Sequence, residues 1–163
     1  MAIKKFTAIF AFLIIYSASA QDAKQAIGAQ LDLWHQAAAK GQFDAYFSMM
    51  TPDAIFIGTD PLENWNIAQF KAFAKPYFDK GAAWDFKPVQ RNIYVKDDIA
   101  WFDELLDTWM KLCRGSGVMK KVGGKWLIQH YVLSMTVPND NASEVVRIIT
   151  PLEDAALEQL KRK

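Results

Sequence analysis

Apolar residues recur at helical spacing in the first half of the chain and alternate with polar residues in the second half. The predicted helices span residues 22–40, 43–50 and 67–80. Asp22 and Gly41 suit the two ends of the first helix, and Pro76 is expected to kink or end the third. A short apolar run at residues 54–57 predicts a strand between the second and third helices.

The alternation in the second half is typical of strands. Four long strands are predicted, at residues 84–95, 99–107, 110–122 and 125–137. Short turns join them, including Gly123-Gly124, and Gly115-Ser116-Gly117 indicates a bulge or bend. Residues 143–163 have helical spacing that Pro151 is expected to split. Helices followed by a run of strands predict the α+β class with an antiparallel sheet.

The first twenty residues have the pattern of a secretory signal peptide. Lys4 and Lys5 precede an apolar stretch, and small residues lead to Ala18-Ser19-Ala20. The apolar stretch of about 11 residues is shorter than the roughly 20 that a membrane-spanning helix needs. We therefore expect cleavage after Ala20 and export to the periplasm or beyond the cell, without membrane attachment. The predicted divisions are a signal peptide (1–20), a domain (21–138) and a helical tail (139–163).

The charge balance, the single cysteine and the two histidines bear on which partners and cofactors the protein could bind. The chain has 19 Lys and Arg against 18 Asp and Glu, and the leader contains two lysines and no acid, so the mature chain has 17 against 18. No basic stripe is interleaved with aromatic residues, which disfavours nucleic acid. Cys113 is the single cysteine, so we expect a thiol that is buried or paired with another chain. The two histidines lack metal-binding spacing, and no metal or other cofactor is expected.

Four stretches of the chain carry a family resemblance. They read AIFIGTDPLENW at 54–65, AWFDE at 100–104, GSGV at 115–118 and GKW at 124–126. Together they resemble the SnoaL-like branch of the nuclear transport factor 2-like superfamily, over roughly residues 22–138. The resemblance implies a strongly curved antiparallel sheet wrapped around the N-terminal helices into a cone, often in a homodimer, with an internal pocket. Its members include isomerases, dehydratases, cyclases, ligand binders and non-catalytic proteins, so it implies no single reaction.

The strand at 99–107 has two carboxylates on opposite faces. Asp103 shares one face with Trp101, and Glu104 shares the other with Phe102. Both faces are largely apolar, and a carboxylate covered by apolar groups has a raised pKa that suits proton transfer. The resemblance favours Asp103 as the pocket-facing acid or base. The alternative is that Asp103 is structural and pairs with Arg91 or Arg114.

Other side chains are candidates for binding a ligand. Alternation places Gln129 and Tyr131 on one face of the last strand, and the resemblance favours that face as the pocket lining, with His130 pointing outward. Arg114 has a guanidinium that suits a carboxylate ligand. The candidate ligand-binding residues are Trp65, Trp101, Tyr131, Arg114, His35 and Gln129.

Three functions stay open at this point. The favoured one is an exported binder or accessory protein for a small apolar or carboxylate ligand. The second is an acid/base isomerase, cyclase or dehydratase that uses Asp103, which requires a raised pKa at that residue. The third is a non-catalytic homodimer, which requires a buried interface above about 1,000 Å².

Overall fold

A computed structural model describes the backbone of residues 3–162 and the side chains of residues 21–162. The predicted leader, residues 1–20, lies outside the residues whose side chains are described, so its cleavage stays a prediction. The first helix, α1 (Ile3–Ala39), includes Asp22 within its length rather than at its start. Among the described residues, no helix combines the length and the apolar character needed to cross a membrane.

Three further α-helices follow within residues 3–162. They are α2 (Phe43–Ser48), α3 (Ile67–Phe78) and α4 (Ala142–Lys161). Asn66 begins α3 with a capping box, in which its side chain accepts from the backbone of Gln69 and the Gln69 side chain accepts from the backbone of Asn66. Helix α3 ends two residues after Pro76.

The predicted split of the C-terminal helix at Pro151 is wrong, because α4 continues through this residue. The φ of proline is close to the helical value, so the helix can continue although Pro151 lacks a backbone donor and its ring crowds the carbonyl four residues earlier.

The part of the chain that the structure describes contains six strands in one sheet. They are β1 (Met50–Ile57), β2 (Asn64–Asn66), β3 (Lys87–Lys96), β4 (Ile99–Thr108), β5 (Lys111–Val122) and β6 (Lys125–Met135). The order across the sheet is β2-β1-β6-β5-β4-β3. The predicted meander of four strands is antiparallel from β3 to β6. Strand β1 pairs with β6 in parallel, which makes the sheet mixed. Strand β2, only three residues long, was not predicted.

The irregularity in the last hairpin lies beside the glycines rather than at them. Strand β5 is continuous through Gly115 and Gly117, and the register shifts between Val118 and Met119. On the opposite strand, Val118 pairs with His130 and Met119 with Ile128, so one residue of β6 is left unpaired between them. This bulge interrupts the alternation of inward and outward side chains along β6.

The core lies between the concave face of the sheet and helices α1 to α3. Trp34 of α1 stacks on Tyr46 of α2 with ring centroids 4.7 Å apart, and its edge meets Tyr131 of β6 at 4.8 Å. Cys113 on β5 is fully buried in this core and unpaired, as expected for a lone thiol. The helices therefore fill a curved sheet, whose outer face remains exposed.

Candidate functional site

A cavity of about 250 Å³ opens beside this core, and most of its lining is aromatic. Strands β1 and β2 contribute Phe56 and Trp65, helix α3 contributes Phe70, and the segment before β3 contributes Trp84 and Phe86. Phe56 and Phe70 stack with centroids 3.9 Å apart, and Phe70 lies parallel to Trp65 at 5.9 Å. These rings form a continuous apolar wall that can bury a small molecule.

The mouth of the cavity is formed by aromatic side chains that reach solvent. Phe73 and Tyr77 of α3 lie on one side, and Trp109, in the turn between β4 and β5, lies on the other. Trp109 is 81% exposed, which is unusual for a side chain of this size. Glu63, in the loop between β1 and β2, is the acidic residue of the lining. A ligand here would cover apolar surface that the protein alone leaves open to water.

A second polar feature, the Glu104 cluster, lies inside the core and consists of Glu104, His35, Arg91 and Tyr131. His35 Nε2 is 2.8 Å from Glu104 Oε1, and the Tyr131 hydroxyl donates to the same oxygen at 3.1 Å. Arg91 Nε donates to Glu104 Oε2 at 2.8 Å, and its Nη1 donates to Asp32 at 2.8 Å. The cluster therefore connects α1 to β3, β4 and β6.

The Glu104 cluster holds its carboxylate in the charged form. Burial alone raises the pKa of Glu104, but the hydrogen bond from His35 and the charges of His35 and Arg91 lower it more, so its pKa lies below the ordinary value. Burial, together with the charge of Glu104, raises the pKa of Tyr131 well above its ordinary value. Both carboxylate oxygens already accept hydrogen bonds, so Glu104 is poorly suited to exchange protons with a substrate.

The prediction that Asp103 faces the interior is wrong. Asp103 lies on the outer face of β4, half-buried, and accepts a hydrogen bond from Asn92 at 3.0 Å. The inward carboxylate is Glu104, which is 1% exposed. Arg91, one of the two partners considered for Asp103, pairs with Glu104 instead.

The candidate ligand-binding residues lie in three different places: the cavity, the core and the outer face of the sheet. Trp65 lines the cavity. His35 and Tyr131 are brought together at Glu104 in the core, and neither is among the described lining residues. Trp101 and Arg114 are exposed on the outer face, contrary to prediction. Gln129 lies at the β6 bulge and donates to Asp53, so its predicted place in the pocket is also wrong.

Comparison with known proteins gives the family. The family model for the SnoaL-like domain matches residues 27–138. The chain belongs to the SnoaL-like family. No curated protein matches the sequence.

Solved structures with the same fold as this SnoaL-like domain have little sequence in common with it. A nuclear transport factor 2-like protein of unknown function from Pseudomonas putida is 14% identical, with a TM-score of 0.60, and the match covers 77% of this chain and 92% of that one. A candidate dehydratase of the same superfamily from Streptomyces avermitilis is 13% identical, with a TM-score of 0.60 and coverage of 72% and 99%. The association domain of CaMKII from C. elegans is 19% identical, with a TM-score of 0.58 and coverage of 71% and 98%. These likenesses confirm the cone fold.

Several site residues of this SnoaL-like domain were missed by sequence reasoning. Glu63, Trp84 and Trp109 line the cavity, and Arg91 holds the interior carboxylate. Trp109 had a usable signal, because a tryptophan in a tight turn between two strands cannot be a core residue of either strand. Glu63 had none, since a polar loop is an ordinary place for a glutamate. In the part of the chain that the structure describes, no three His, Cys, Asp or Glu residues are grouped as a metal site would require.

Proposed function

We propose that this SnoaL-like domain is an exported protein that binds a small, largely apolar molecule in the aromatic cavity and does not convert it. The observation that carries the proposal is the cavity of about 250 Å³, whose walls are stacked rings and whose mouth exposes Trp109. Ligand pockets are characteristically apolar with few polar groups, as here. The leader pattern at residues 1–20 supports export.

The positions of Asp103 and Glu104 disfavour acid/base turnover by either of the two β4 carboxylates considered from the sequence. Asp103 lies on the outer face of the sheet, away from the cavity. Glu104 lies inside but already accepts hydrogen bonds from His35, Arg91 and Tyr131, and its pKa is lowered rather than raised. An isomerase or dehydratase of the expected kind needs a carboxyl group that can reach its substrate and exchange a proton.

The binding proposal is tested with N-phenyl-1-naphthylamine, a neutral aromatic probe whose fluorescence rises in apolar surroundings. Ala83 is one of the small residues that line the cavity. We expect Ala83→Phe to fill the cavity and weaken probe binding by about tenfold, which corresponds to about 1.4 kcal/mol. Trp101→Ala, which changes an aromatic residue on the outer face, is the matched control and leaves binding unchanged. The thermal midpoint of each variant verifies that it is folded. Binding that survives Ala83→Phe and is lost in Trp101→Ala would contradict the proposal.

The outer face of the sheet supports a second candidate function, self-association. Tyr94 and Trp101 stack there with centroids 5.8 Å apart, each 46% exposed, and Leu112 lies exposed on the same face. Exposed apolar patches of this kind mark interaction surfaces. One structural relative is itself described as an association domain.

Sedimentation velocity tests this second candidate. A stable dimer should bury above about 1,000 Å². If the outer face is the interface, the wild-type protein sediments as a dimer and Trp101→Glu as a monomer, because the change buries an unpaired charge. Trp109→Ala, at the mouth of the cavity, is the control and leaves the assembly unchanged. A wild-type monomer at tens of micromolar would rule out this candidate.

A further inference from the structure

The charged group in the cavity lining is negative. Glu63 is the acidic residue, and the described lining residues include no Lys, Arg or His. The remaining lining is aromatic or aliphatic apart from Gly58 and Thr59. A low-dielectric cavity with one carboxylate attracts a positive group and repels an anion.

The local loop structure leaves the Glu63 carboxylate able to accept further hydrogen bonds. The loop is closed by the backbone of Glu63, whose carbonyl accepts from Gly58 at 3.0 Å and whose N–H donates to Asp60 at 3.0 Å. The carboxylate Oε2 accepts one long bond, 3.3 Å, from the backbone of Asp60. A Cβ on residue 58 would lie 2.0 Å from this Oε2, so Gly58 leaves the space that the carboxylate occupies. Among the described residues, no cationic side chain forms an ion pair with Glu63.

The aromatic walls favour the same kind of ligand. Trp65, Trp84 and Trp109 all line the cavity, and the face of an indole ring is the best aromatic partner for a cation. An aromatic cage next to a carboxylate is an arrangement suited to a substituted ammonium group.

We infer that the ligand of this cavity is an organic cation, an alkylated or aryl-alkyl ammonium whose positive nitrogen lies near Glu63 and whose apolar part contacts the tryptophans. This inference rests on the proposed binding function and adds the charge of the ligand. It predicts selectivity by charge between molecules of equal shape.

The experiment compares three probes by isothermal titration calorimetry. Benzyltrimethylammonium is the cation, 2,2-dimethylpropylbenzene is its neutral counterpart with carbon in place of the charged nitrogen, and 3-phenylpropanoate is an anion of similar size. We expect the cation to bind about tenfold more tightly than the neutral probe, from the carboxylate and the ring faces together, and the anion to bind most weakly.

Variants assign the selectivity to the cavity. Glu63→Gln retains an oxygen that can accept from Asp60 and removes the charge, so cation affinity falls about tenfold while the affinity of the neutral probe changes less than about twofold. Asp103→Asn removes the same charge from the outer face and leaves both affinities unchanged. Trp109→Ala, at a position that is 81% exposed, reduces the affinity of the cation more than that of the neutral probe.

The outcomes separate the inference from the function on which it rests. If the neutral probe binds as tightly as the cation, or Glu63→Gln and Asp103→Asn reduce cation affinity equally, the inference is overturned and the cavity remains a neutral binding site. If none of the three probes binds and N-phenyl-1-naphthylamine does not bind either, both the inference and the proposed function are overturned.

Discussion

Glu104 is a single side chain through which four elements of the fold are joined. Its carboxylate has no exposed surface and accepts hydrogen bonds from donors on α1, β3 and β6. Arg91 also donates to the Gly28 carbonyl and to Asp32, so the same cluster holds α1 against the sheet. A charge in this setting stabilises the fold only while all its partners are present.

Replacing Glu104 with glutamine should therefore be costly. Glu104→Gln removes the buried one of the two carboxylates that pair with the largely buried Arg91 and leaves only the exposed Asp32, so we expect a loss of about 3 kcal/mol in the free energy of unfolding. Asp103→Asn, the neighbouring change on the outer face, should cost less than about 1 kcal/mol. Urea unfolding at pH 7 measures both. Equal losses in the two variants would show that the Glu104 cluster has no special role in stability.

The lowered pKa of Glu104 also determines how its contribution to folding stability changes with pH. The unfolded chain takes up the proton more readily than the folded one, so this residue contributes fully above its ordinary pKa of 4.5 and progressively less as the pH falls through the lowered folded value. We expect the wild-type protein to lose more stability than Glu104→Gln between pH 6 and pH 3, measured by urea unfolding. Parallel pH profiles for the two proteins would contradict this.

The sequence placed Asp103 and Glu104 on opposite faces correctly but did not show which face is interior. Both faces of β4 have large apolar residues, Trp101 and Leu105 on one and Phe102 and Leu106 on the other. Alternation has the same period in either orientation, so it cannot choose between them. Only the docking of α1, which positions His35 against Glu104 and accepts hydrogen bonds from Arg91 of β3, distinguishes the two faces.

Strand β5 has glycine at two positions where its neighbours leave no room for a side chain. A Cβ at Gly115 would lie 2.2 Å from the Tyr131 hydroxyl, and one at Gly117 would lie 2.5 Å from the His130 carbonyl oxygen and 2.9 Å from the Phe102 ring. The two glycines thus leave room for large side chains from both flanking strands. A side chain could be accommodated at neither position without moving its neighbours.

We expect Gly117→Ala to destabilise the fold by about 2 kcal/mol, because the added methyl group meets a backbone carbonyl that the β5–β6 ladder holds in place. Ser116→Ala, the adjacent position with its side chain on the outer face, should change stability by less than about 0.5 kcal/mol. Thermal unfolding of the two variants provides the comparison. A neutral Gly117→Ala would mean that the sheet relaxes around this position.

Among helices and strands, the long segments with a regular apolar spacing could be predicted from the sequence. A bulge within a strand and a very short strand could not. The four strands of the meander and the three N-terminal helices follow from spacing alone. The bulge opposite Val118 cannot be predicted from the sequence. Because Gln129 is the unpaired residue of this bulge, simple alternation along β6 gives it the wrong place. Strand β2 has only three residues and forms because β1 is beside it, so it has no period of its own.

For the whole molecule, the outstanding prediction is processing at the N-terminus. When the full chain is expressed in a bacterium with a signal peptidase, intact-mass spectrometry should show a protein that begins at Gln21. Ala20→Arg should block cleavage, because the peptidase requires a small residue there. Gln25→Arg, an exposed position beyond the cut, should not. A wild-type chain that retains residues 1–20 would contradict export by this route.

The buried Cys113 has a practical consequence for the whole fold. Its sulfur lies 3.6 Å from the Thr108 hydroxyl and has no exposed surface, so a thiol reagent can reach it only when strand β5 separates from its neighbours. The rate of modification would then report how often the sheet opens, and its dependence on reagent concentration would give the free energy of that opening. The chain thus contains a natural reporter of sheet opening, in the strand that is paired with β4 on one side and β6 on the other.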